Sequence, residues 1–271
     1  MECELCKFNN PKGTATAVVI KNGALLVLKR NKEPFSGMWD LPGGYMNAGE
    51  TPEQTIRREI KEELGVEPRE CDFIGWFPGT ASWRGASFAV LSHAYLTEIP
   101  ESLVLNKKEN IAYQWISLAA IDPETIAFDS NQAIVRLLKK KFANDYPAIV
   151  GLILQLDSSA EVTEQNLYRS LLNGYMSKKM VNGKLVGAGW IFPRRTFLRK
   201  QAVIEDMIVD ESQRGKGFGK EILADLLRWA KENGVEVIEL TTNPRRVAAN
   251  ELYKKIGFEL HPTNHYLYRV T

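Results

Sequence analysis

The sequence Asn-Asp-Tyr-Pro at residues 144–147 divides this chain of 271 residues into two parts with separate strand and helix patterns. In the first part, the β-rich runs TATAVVIK and ALLVLKR flank Asn22-Gly23, a dipeptide typical of a tight hairpin turn. The runs DFIGWF, SFAVLSHAYL and YQWISL follow a helical segment and predict strands, and NQAIVRLLKKKF predicts a closing helix. This part therefore predicts a mixed α/β domain.

The second part begins a new pattern after the proline. The apolar run AIVGLILQL predicts a strand, residues 161–172 predict a helix, and Asn182-Gly183 predicts a second hairpin between YMSKKMV and KLVGAGWIF. The strand QAVIEDMIV then leads through a glycine-rich turn into the helix GKEILADLLRWAKENG. The runs VEVIELTT, VAANELYKKIG and HYLYRV predict a strand, a helix and a final strand. Both parts have ordinary domain lengths, so we predict domains at residues 1–145 and 146–271.

The composition excludes several classes of protein. With 44% hydrophobic residues, 25% charged residues and a net charge of +2, the chain has a globular profile and favours neither a nucleic-acid binder nor a membrane-surface protein. No apolar run approaches the ~20 residues of a membrane span, and the start MECELCKFNN does not resemble a signal peptide. The cysteines are too few for a disulfide framework. These features predict a soluble cytoplasmic protein.

Negative charge is concentrated in the segment from Gly43 to Val66. Glu59, Glu62 and Glu63 share one helical face, because residues three and four apart fall within an arc of roughly 100°. Like charges so placed repel each other. Either a cation on the same helix relieves the repulsion, as Arg58 does if it pairs with Glu62, or the face binds a divalent cation through its oxygens. The residues alone leave both explanations open.

The spacing of this segment resembles the Nudix box of the Nudix hydrolase superfamily. The match includes every defining position of the box: Gly44, Glu50, Arg58, Glu59, Ile60, Glu62, Glu63, Gly65 and Val66. The resemblance implies an α/β/α sandwich and hydrolysis of a nucleoside diphosphate linked to another group, such as ADP-ribose or a related nucleotide.

The same resemblance implies roles for individual residues. The ligands of Mg²⁺ or Mn²⁺ are then Glu59, Glu62 and Glu63, together with the Gly44 carbonyl. Arg58 is expected to orient the glutamates, and Glu50 to support the helix or bind through water. Many Nudix enzymes also use a glutamate in a later loop as the base for the attacking water. Glu109 in NKKENIAYQW is the candidate here, and an ordinary solvated loop glutamate is the alternative.

Selectivity for the linked group has to come from outside the box. In the stretch GWFPGTASWRG, the rings of Trp76, Phe77 and Trp83 could stack on a base or belong to the core. The stretch loosely resembles one in Nudix proteins related to NADH pyrophosphatase, but it lacks the fuller signature of that enzyme, which argues against NADH as substrate.

The pair Cys3-x-x-Cys6 resembles one knuckle of the zinc ribbon in such relatives. Structural zinc needs four ligands, so bound zinc is not expected; a vestigial knuckle or an intermolecular site are the alternatives.

A second motif opens the helix after QAVIEDMIV. A glycine-rich turn at a helix N-terminus exposes backbone N–H groups to an anion, although such a turn can also be purely structural. The spacing Arg214-x-x-Gly217-x-Gly219 resembles the acyl-CoA pyrophosphate loop of the GNAT acetyltransferase superfamily. The resemblance extends over roughly residues 148–271 and implies a mixed-sheet α/β domain. It assigns the pyrophosphate to the loop residues Arg214, Gly215, Lys216, Gly217, Phe218, Gly219 and Lys220.

The GNAT resemblance also implies a reaction, acetyl transfer from acetyl-CoA to an amine acceptor. The strand residues that pair their backbone with pantetheine are then Met207, Ile208 and Val209. Tyr253 is expected to return a proton to the departing CoA thiolate. Glu205 and Asp206 are candidates for deprotonating the amine, directly or through water, or they are structural.

The combined prediction is a bifunctional enzyme, a Nudix diphosphatase fused to a GNAT acetyltransferase. The alternative keeps one domain as a ligand sensor or interaction module that binds a nucleotide or CoA without using it. A regulatory module is expected to lose box carboxylates, and this box retains all of them.

Overall fold

The computed structural model describes residues 10–83, 85–142 and 146–268, and of Trp83 it describes the backbone alone. The Cys3 and Cys6 pair lies outside these residues. The chain divides into two compact units, Met1–Pro147 with Glu161–Asn173 and Ala148–Ala160 with Gly174–Thr271. The predicted boundary near residue 145 lies beside the first passage between the units. The further passages after residues 160 and 173 were not predicted, and the domain limits for independent folding stay a prediction.

The first unit contains two sheets. Its strands are β1 (Lys12–Val18), β2 (Ile20–Lys21), β3 (Ala24–Arg30), β4 (Trp39–Asp40), β5 (Gly43–Tyr45), β6 (Cys71–Trp83), β7 (Ala86–Thr97) and β8 (Asn110–Ser117). One sheet has the order β5-β1-β7-β6 with β1 parallel to β7, and in the other β3 pairs with β2, β4 and β8. The strands expected at TATAVVIK, ALLVLKR, SFAVLSHAYL and YQWISL are confirmed. DFIGWF is only the beginning of β6, which pairs with β7 over its whole length.

The helix α1 (Pro52–Leu64) carries the acidic face and is delimited by its own sequence. Thr51 caps its N-terminus in a capping box with Gln54, and Gly65 ends it with a left-handed φ of 68°. The buried face of the helix packs against apolar residues of β1 and β3 through Ile56, Ile60 and Leu64. The acidic face adjoins this buried face, and Glu63 is itself buried, so the packing of α1 positions the glutamates relative to both sheets.

The helices α2 (Asp129–Phe142) and α4 (Glu164–Asn173) complete the first unit. The Glu164 carboxylate of α4 accepts the backbone N–H groups of Asn22 and Gly23, each at 2.6 Å. Both turn residues have positive φ, as the predicted hairpin requires, and this conformation aims successive N–H groups at one anion. One turn later, Tyr168 is 1% exposed and packs its ring against Phe142.

The second unit is a single sheet with helices. Its elements are α3 (Tyr146–Leu156), β9 (Tyr175–Val181), β10 (Lys184–Arg195), β11 (Lys200–Val209), α5 (Phe218–Glu232), β12 (Val237–Leu240) and α6 (Val247–Ile256). The sheet order is β12-β11-β10-β9, with β12 parallel to β11 and the other pairs antiparallel. The helix α5 packs closely on β10 because Gly187 and Gly189 have no side chain where Ile222 lies.

Two predicted strands of the second part are wrong. AIVGLILQL belongs to the helix α3. The strand prediction failed because an unbroken apolar run has no periodicity that distinguishes a buried strand from a buried helix. The contacts of Leu152 and Leu156 with Ala188 and Ile208 follow helical spacing instead. Of HYLYRV, the described residues His265–Tyr268 form no strand, and Tyr266 is 85% exposed. No helix in the described ranges combines the length and the apolarity needed to cross a membrane.

Candidate functional sites

The charged face of α1 lines a cleft of about 870 Å³ in the first unit, with Glu59, Glu62 and Glu63 among its walls. Gly43 and Gly44 of β5 lie opposite this face. A Cβ on Gly43 would overlap the backbone of β1, and a Cβ on Gly44 would overlap the Glu59 carboxylate. The two glycines therefore allow β5 to lie directly against both β1 and the box helix.

Glu63 is the most buried of the three glutamates, and it has only uncharged hydrogen-bond donors. The Gly43 N–H donates to its Oε2 at 3.0 Å, and the Asn110 amide donates to its Oε1 at 3.1 Å. Burial raises the pKa of Glu63 to about 8, and the nearby charge of Glu59 acts in the same direction. A cation in the cleft would favour the charged form of this carboxylate.

Arg58 links the carboxylates of the box. Its guanidinium donates to both oxygens of Glu50 at 2.7 and 3.0 Å, to Glu59 Oε1 at 2.7 Å and to Glu62 Oε2 at 3.2 Å. The hydrogen bonds from Arg58 hold the pKa of Glu50 well below its usual range. These are contacts expected of a residue that orients the glutamates, and its part in catalysis stays a prediction.

The donors of this cleft match a hard divalent cation in their chemistry, since carboxylate and carbonyl oxygens are the ligands of Mg²⁺ and Mn²⁺. The missing Cβ of Gly44 leaves the Glu59 carboxylate beside the backbone that carries the expected carbonyl ligand. Within the described residues, no three acidic, histidine or cysteine side chains are already grouped around one point. Arg58 donates to Oε1 of Glu59 and to Oε2 of Glu62, so it contacts one oxygen of each carboxylate.

Glu109 lies in the same cleft as the box glutamates, directly before β8. Its loop is joined to the end of α1 by backbone hydrogen bonds from Val104 N–H to the Leu64 carbonyl and from Asn106 N–H to the Glu63 carbonyl, both 2.8 Å. The Glu109 carboxylate accepts a hydrogen bond from Lys32 Nζ at 2.6 Å. The tertiary structure thus brings the predicted base to the box.

The aromatic residues of the cleft differ from those expected. Trp76 and Phe77 do not line it, and Trp76 is 65% exposed; the Trp83 side chain lies outside the described part of the chain. Among the described residues, the aromatic side chains that line the cleft are Tyr45, Phe88 and Phe128. No local signal marks these residues, because they come from three distant segments. Tyr45 of β5 and Phe88 of β7 become neighbours of β1 only in the folded sheet, and Phe128 directly precedes α2.

A buried polar network at the cleft was also missed. The Asn131 amide donates to Asp40 at 2.7 Å and accepts from the Thr16 hydroxyl at 3.1 Å. Arg30 pairs with Asp40 at 2.9 Å, and burial raises the pKa of Asp40 to about 6. These side chains come from β1, β3, β4 and α2, so their grouping leaves no pattern in the sequence.

The second unit has a cleft of about 980 Å³ at the point where β11 and β12 separate. These parallel strands pair only from Gln201 to Ile204. Beyond Ile204, β11 continues to pair with β10 on one side, while no strand in the described residues pairs with its other side. The predicted pantetheine residues Met207, Ile208 and Val209 line the cleft at this open edge.

A bulge in β11 lies at the start of the open edge. Trp190 pairs with Glu205 and Ala188 pairs with Ile208, so one residue of β10 faces two of β11. Asp206 has a left-handed φ of 48° in this bulge. Bulges commonly redirect side chains next to active sites, and both Glu205 and Asp206 line the cleft. Burial raises the pKa of each carboxyl group.

The predicted pyrophosphate loop lies at the N-terminus of α5. Gly215 and Gly217 have left-handed φ values of 79° and 83°, conformations that favour glycine. Gly217 is the N-cap and provides no side-chain cap, so the first-turn N–H groups of α5 remain available to an anion. Of the predicted loop residues, Lys216 is the one that does not line the cleft; its ammonium donates to Gln213 at 2.8 Å.

Tyr253 reaches the same cleft from α6. Its ring packs edge-on against Phe258 with centroids 6.0 Å apart, which fixes the orientation of the phenol. Burial raises the pKa of Tyr253, and the charge of Arg246 partly opposes that shift. The phenol therefore keeps its proton through the neutral range and can donate it.

Two known protein families match the two parts of the chain separately. Residues 11–137 match the NUDIX domain, and residues 147–258 match the acetyltransferase (GNAT) family. The ADP-ribose pyrophosphatase of Methanocaldococcus jannaschii is 38% identical over 68 residues, 25% of this chain and 40% of that protein. An RNA pyrophosphohydrolase of Francisella tularensis subsp. mediasiatica is 30% identical over 122 residues, 41% of this chain and 70% of that protein. An uncharacterised N-acetyltransferase of Bacillus subtilis is 40% identical over 63 residues, 23% of this chain and 26% of that protein.

These matches establish the class of both parts. The chain belongs to the Nudix family through its N-terminal domain, and a GNAT acetyltransferase domain is fused behind it. The chain spans 40% of the ADP-ribose pyrophosphatase and 26% of the N-acetyltransferase.

Proposed function

We propose that the first domain hydrolyses the phosphoanhydride of a nucleoside diphosphate linked to a second group, with Mg²⁺ or Mn²⁺ as cofactor. The observation that carries this proposal is that Glu59, Glu62 and Glu63 all line one cleft, which the backbone of Gly44 also lines. ADP-ribose and related nucleotides are the first substrates to test, because a relative of this domain is an ADP-ribose pyrophosphatase.

In this reaction, Glu59, Glu62, Glu63 and the Gly44 carbonyl hold the divalent ion. When bound, the ion supplies charge neutralisation for the bridging and leaving oxygens of the diphosphate. Glu109 accepts a proton from a water molecule whose oxygen forms a bond to phosphorus while the bridging P–O bond breaks. Arg58 holds the carboxylates of Glu59 and Glu62 on the helix and that of Glu50, which precedes the helix, through its hydrogen bonds.

Substitution of Glu62 tests this function. Glu62→Gln keeps the shape of the side chain and removes one charged ligand, so turnover should fall by about 10²-fold or more. Glu53→Gln on the same helix is the matched control, because Glu53 pairs with Arg57 and does not line the cleft. Turnover is measured as phosphate or nucleotide release from a panel of nucleoside diphosphate derivatives with Mg²⁺ or Mn²⁺. Equal turnover in wild type and Glu62→Gln would contradict the proposal.

We further propose that the second domain transfers an acetyl group from acetyl-CoA to an amine, which makes the chain bifunctional. The carrying observation is the separation of β11 from β12 beside a glycine-rich helix N-terminus. The open edge at Met207–Val209 offers backbone groups to the amide-bearing pantetheine arm. The N–H groups at the start of α5 offer donors to the pyrophosphate.

The proposed base and acid of the transfer lie on different elements that line this cleft: Glu205 and Asp206 on β11, and Tyr253 on α6. Glu205 or Asp206 accepts the proton of the acceptor ammonium, directly or through water. The free amine attacks the thioester carbonyl and the C–S bond breaks. Tyr253 donates its proton to the departing thiolate and regains one from the nitrogen of the adduct, directly or through water, so that the neutral amide is left.

Calorimetry with acetyl-CoA tests the binding step. Gly219→Ala should fold normally, because a Cβ there would lie 3.4 Å from Leu252 Cδ2, an ordinary contact. It should weaken acetyl-CoA binding, because the added methyl group occupies the wall where the pyrophosphate approaches. Gly151→Ala, in α3 with open space around it, is the control. No binding by the wild type at millimolar acetyl-CoA would refute the proposed acetyl transfer.

A further inference from the structure

The ion pair between Lys32 and Glu109 lies inside the proposed diphosphate cleft. Lys32 follows β3, Glu109 precedes β8, and the two strands are antiparallel neighbours. The Asn31 N–H also donates to the Glu109 carbonyl at 2.9 Å, so the two chain segments are held side by side. The pair at 2.6 Å therefore occupies one oxygen of the residue that has to accept a proton from the attacking water.

Lys32 differs from the other cations that line the cleft in how it is held. Arg58 binds three box carboxylates, and Arg30 is paired with Asp40 in a nearly buried site. Lys12 lies over the Phe88 ring at 4.4 Å. Lys32 has a single carboxylate partner among the described residues, and its side chain is 57% exposed. The Glu109 side chain is 33% exposed, so water reaches both partners. Ion pairs that are accessible to solvent are weak, so an anion with more charge can displace the carboxylate.

We propose that Lys32 exchanges partners when substrate binds. In the free enzyme its ammonium binds Glu109; in the substrate complex it binds the diphosphate, and the released Glu109 carboxylate becomes able to accept the proton of water. This inference rests on the proposed diphosphate hydrolysis. Lys32 is thus a positioning residue that makes the base available only when an anionic substrate is present.

Partner exchange predicts a specific pattern of ligand affinities. With Lys32→Met, the affinity for ADP in the presence of Mg²⁺ should fall, because the ammonium no longer reaches the phosphates. With Glu109→Gln, it should rise by about fivefold, because Lys32 no longer has to leave a carboxylate before it binds the ligand. In the double variant, Glu109→Gln should no longer improve binding, since the ammonium that it would free is absent.

The measurement is calorimetric titration of ADP with Mg²⁺ into the four proteins, with Lys21→Met as control. Lys21 also pairs with a single carboxylate, that of the exposed Glu101, but it does not line the cleft. Thermal unfolding of each variant checks that it is folded. Because binding is read without turnover, failure of the proposed hydrolysis, tested by Glu62→Gln, remains a separate result.

Kinetics with a hydrolysed nucleotide separate partner exchange from a simpler role. If Lys32 contacts the diphosphate, Lys32→Met raises KM more than it lowers kcat, and Lys32→Arg restores most of the KM. If Lys32 only holds Glu109 in its catalytic position, Lys32→Met lowers kcat and leaves KM unchanged. That second result, or equal ADP affinities in wild type and Glu109→Gln, would overturn the proposal.

Discussion

The Glu59 carboxylate occupies the space that a Cβ on Gly44 would need. Gly44 has no positive φ in the range that favours glycine, so its backbone is compatible with alanine. The neighbour that an alanine meets is the end of a flexible side chain, which can move. The absence of a side chain at Gly44 therefore matters for the position of a proposed ligand rather than for folding.

Gly44→Ala should leave the fold intact and reduce diphosphate hydrolysis by about 10²-fold, because a ligand displaced by about 1 Å no longer holds the ion correctly. Circular dichroism and thermal unfolding check the fold, and nucleotide release measures the activity. Gly151→Ala serves as control. Hydrolysis at the wild-type rate in Gly44→Ala would show that the Glu59 position is not critical.

Tyr253→Phe should slow acetyl transfer by about 10²-fold while leaving acetyl-CoA affinity nearly unchanged. The substitution keeps the ring and its edge-on contact with Phe258, and it removes only the proton donor. Binding is measured by calorimetry and transfer by release of the CoA thiol. A variant that transfers as fast as the wild type would leave the thiolate to be protonated by another donor.

Acetyl transfer should depend on pH through Glu205. The base acts in its deprotonated form, and burial, followed by the charge of Asp206, raises the pKa of Glu205 above its ordinary value of 4.5. The rate should therefore fall as the pH decreases through this raised pKa, by about tenfold per pH unit below it. We expect Glu205→Gln to lose this decrease in rate at low pH, measured as thiol release with the amine that an acceptor screen identifies. Protonation of the acceptor amine also lowers the rate at low pH, but it does so equally in both proteins. An unchanged dependence of rate on pH in Glu205→Gln would therefore point to Asp206 as the base or to a structural role of Glu205.

The stability of the first unit should depend on α4. A piece comprising residues 1–145 lacks Tyr168, whose ring is 1% exposed, and the Glu164 carboxylate that binds the Asn22-Gly23 turn. In the full chain, Tyr168→Ala should cost about 3 kcal/mol of unfolding free energy, as large-to-small changes in a core do. Calorimetric unfolding compares it with Tyr266→Ala, a change at an 85% exposed ring. Equal melting temperatures would mean that α4 adds little to the core.

The residues of local motifs were predictable from the sequence because each motif forms within one element and its flanking turn. Thr51, Gln54 and Gly65 delimit α1, and helical spacing alone places the box glutamates on one face. The hairpins at Asn22-Gly23 and Asn182-Gly183 follow from the positive φ that these residues tolerate. The loop from Gly215 to Gly219 is likewise set by its glycines and by the helix that follows.

Tertiary structure decided everything that depends on neighbours far apart in sequence. Apolar content alone could not distinguish a helix from a strand at α3, because this segment packs at helical spacing against Ala188 of β10 and Ile208 of β11. The pairing of Lys32 with Glu109 and the position of Asn110 against Glu63 arise where β3 meets β8 and where the loop before β8 meets α1. The split between β11 and β12 and the place of α4 in the first unit depend on which strands and helices pack together. Such contacts form only when segments that are distant in sequence pack together and bury a common surface. The spacing of residues along the chain does not predict which segments these are.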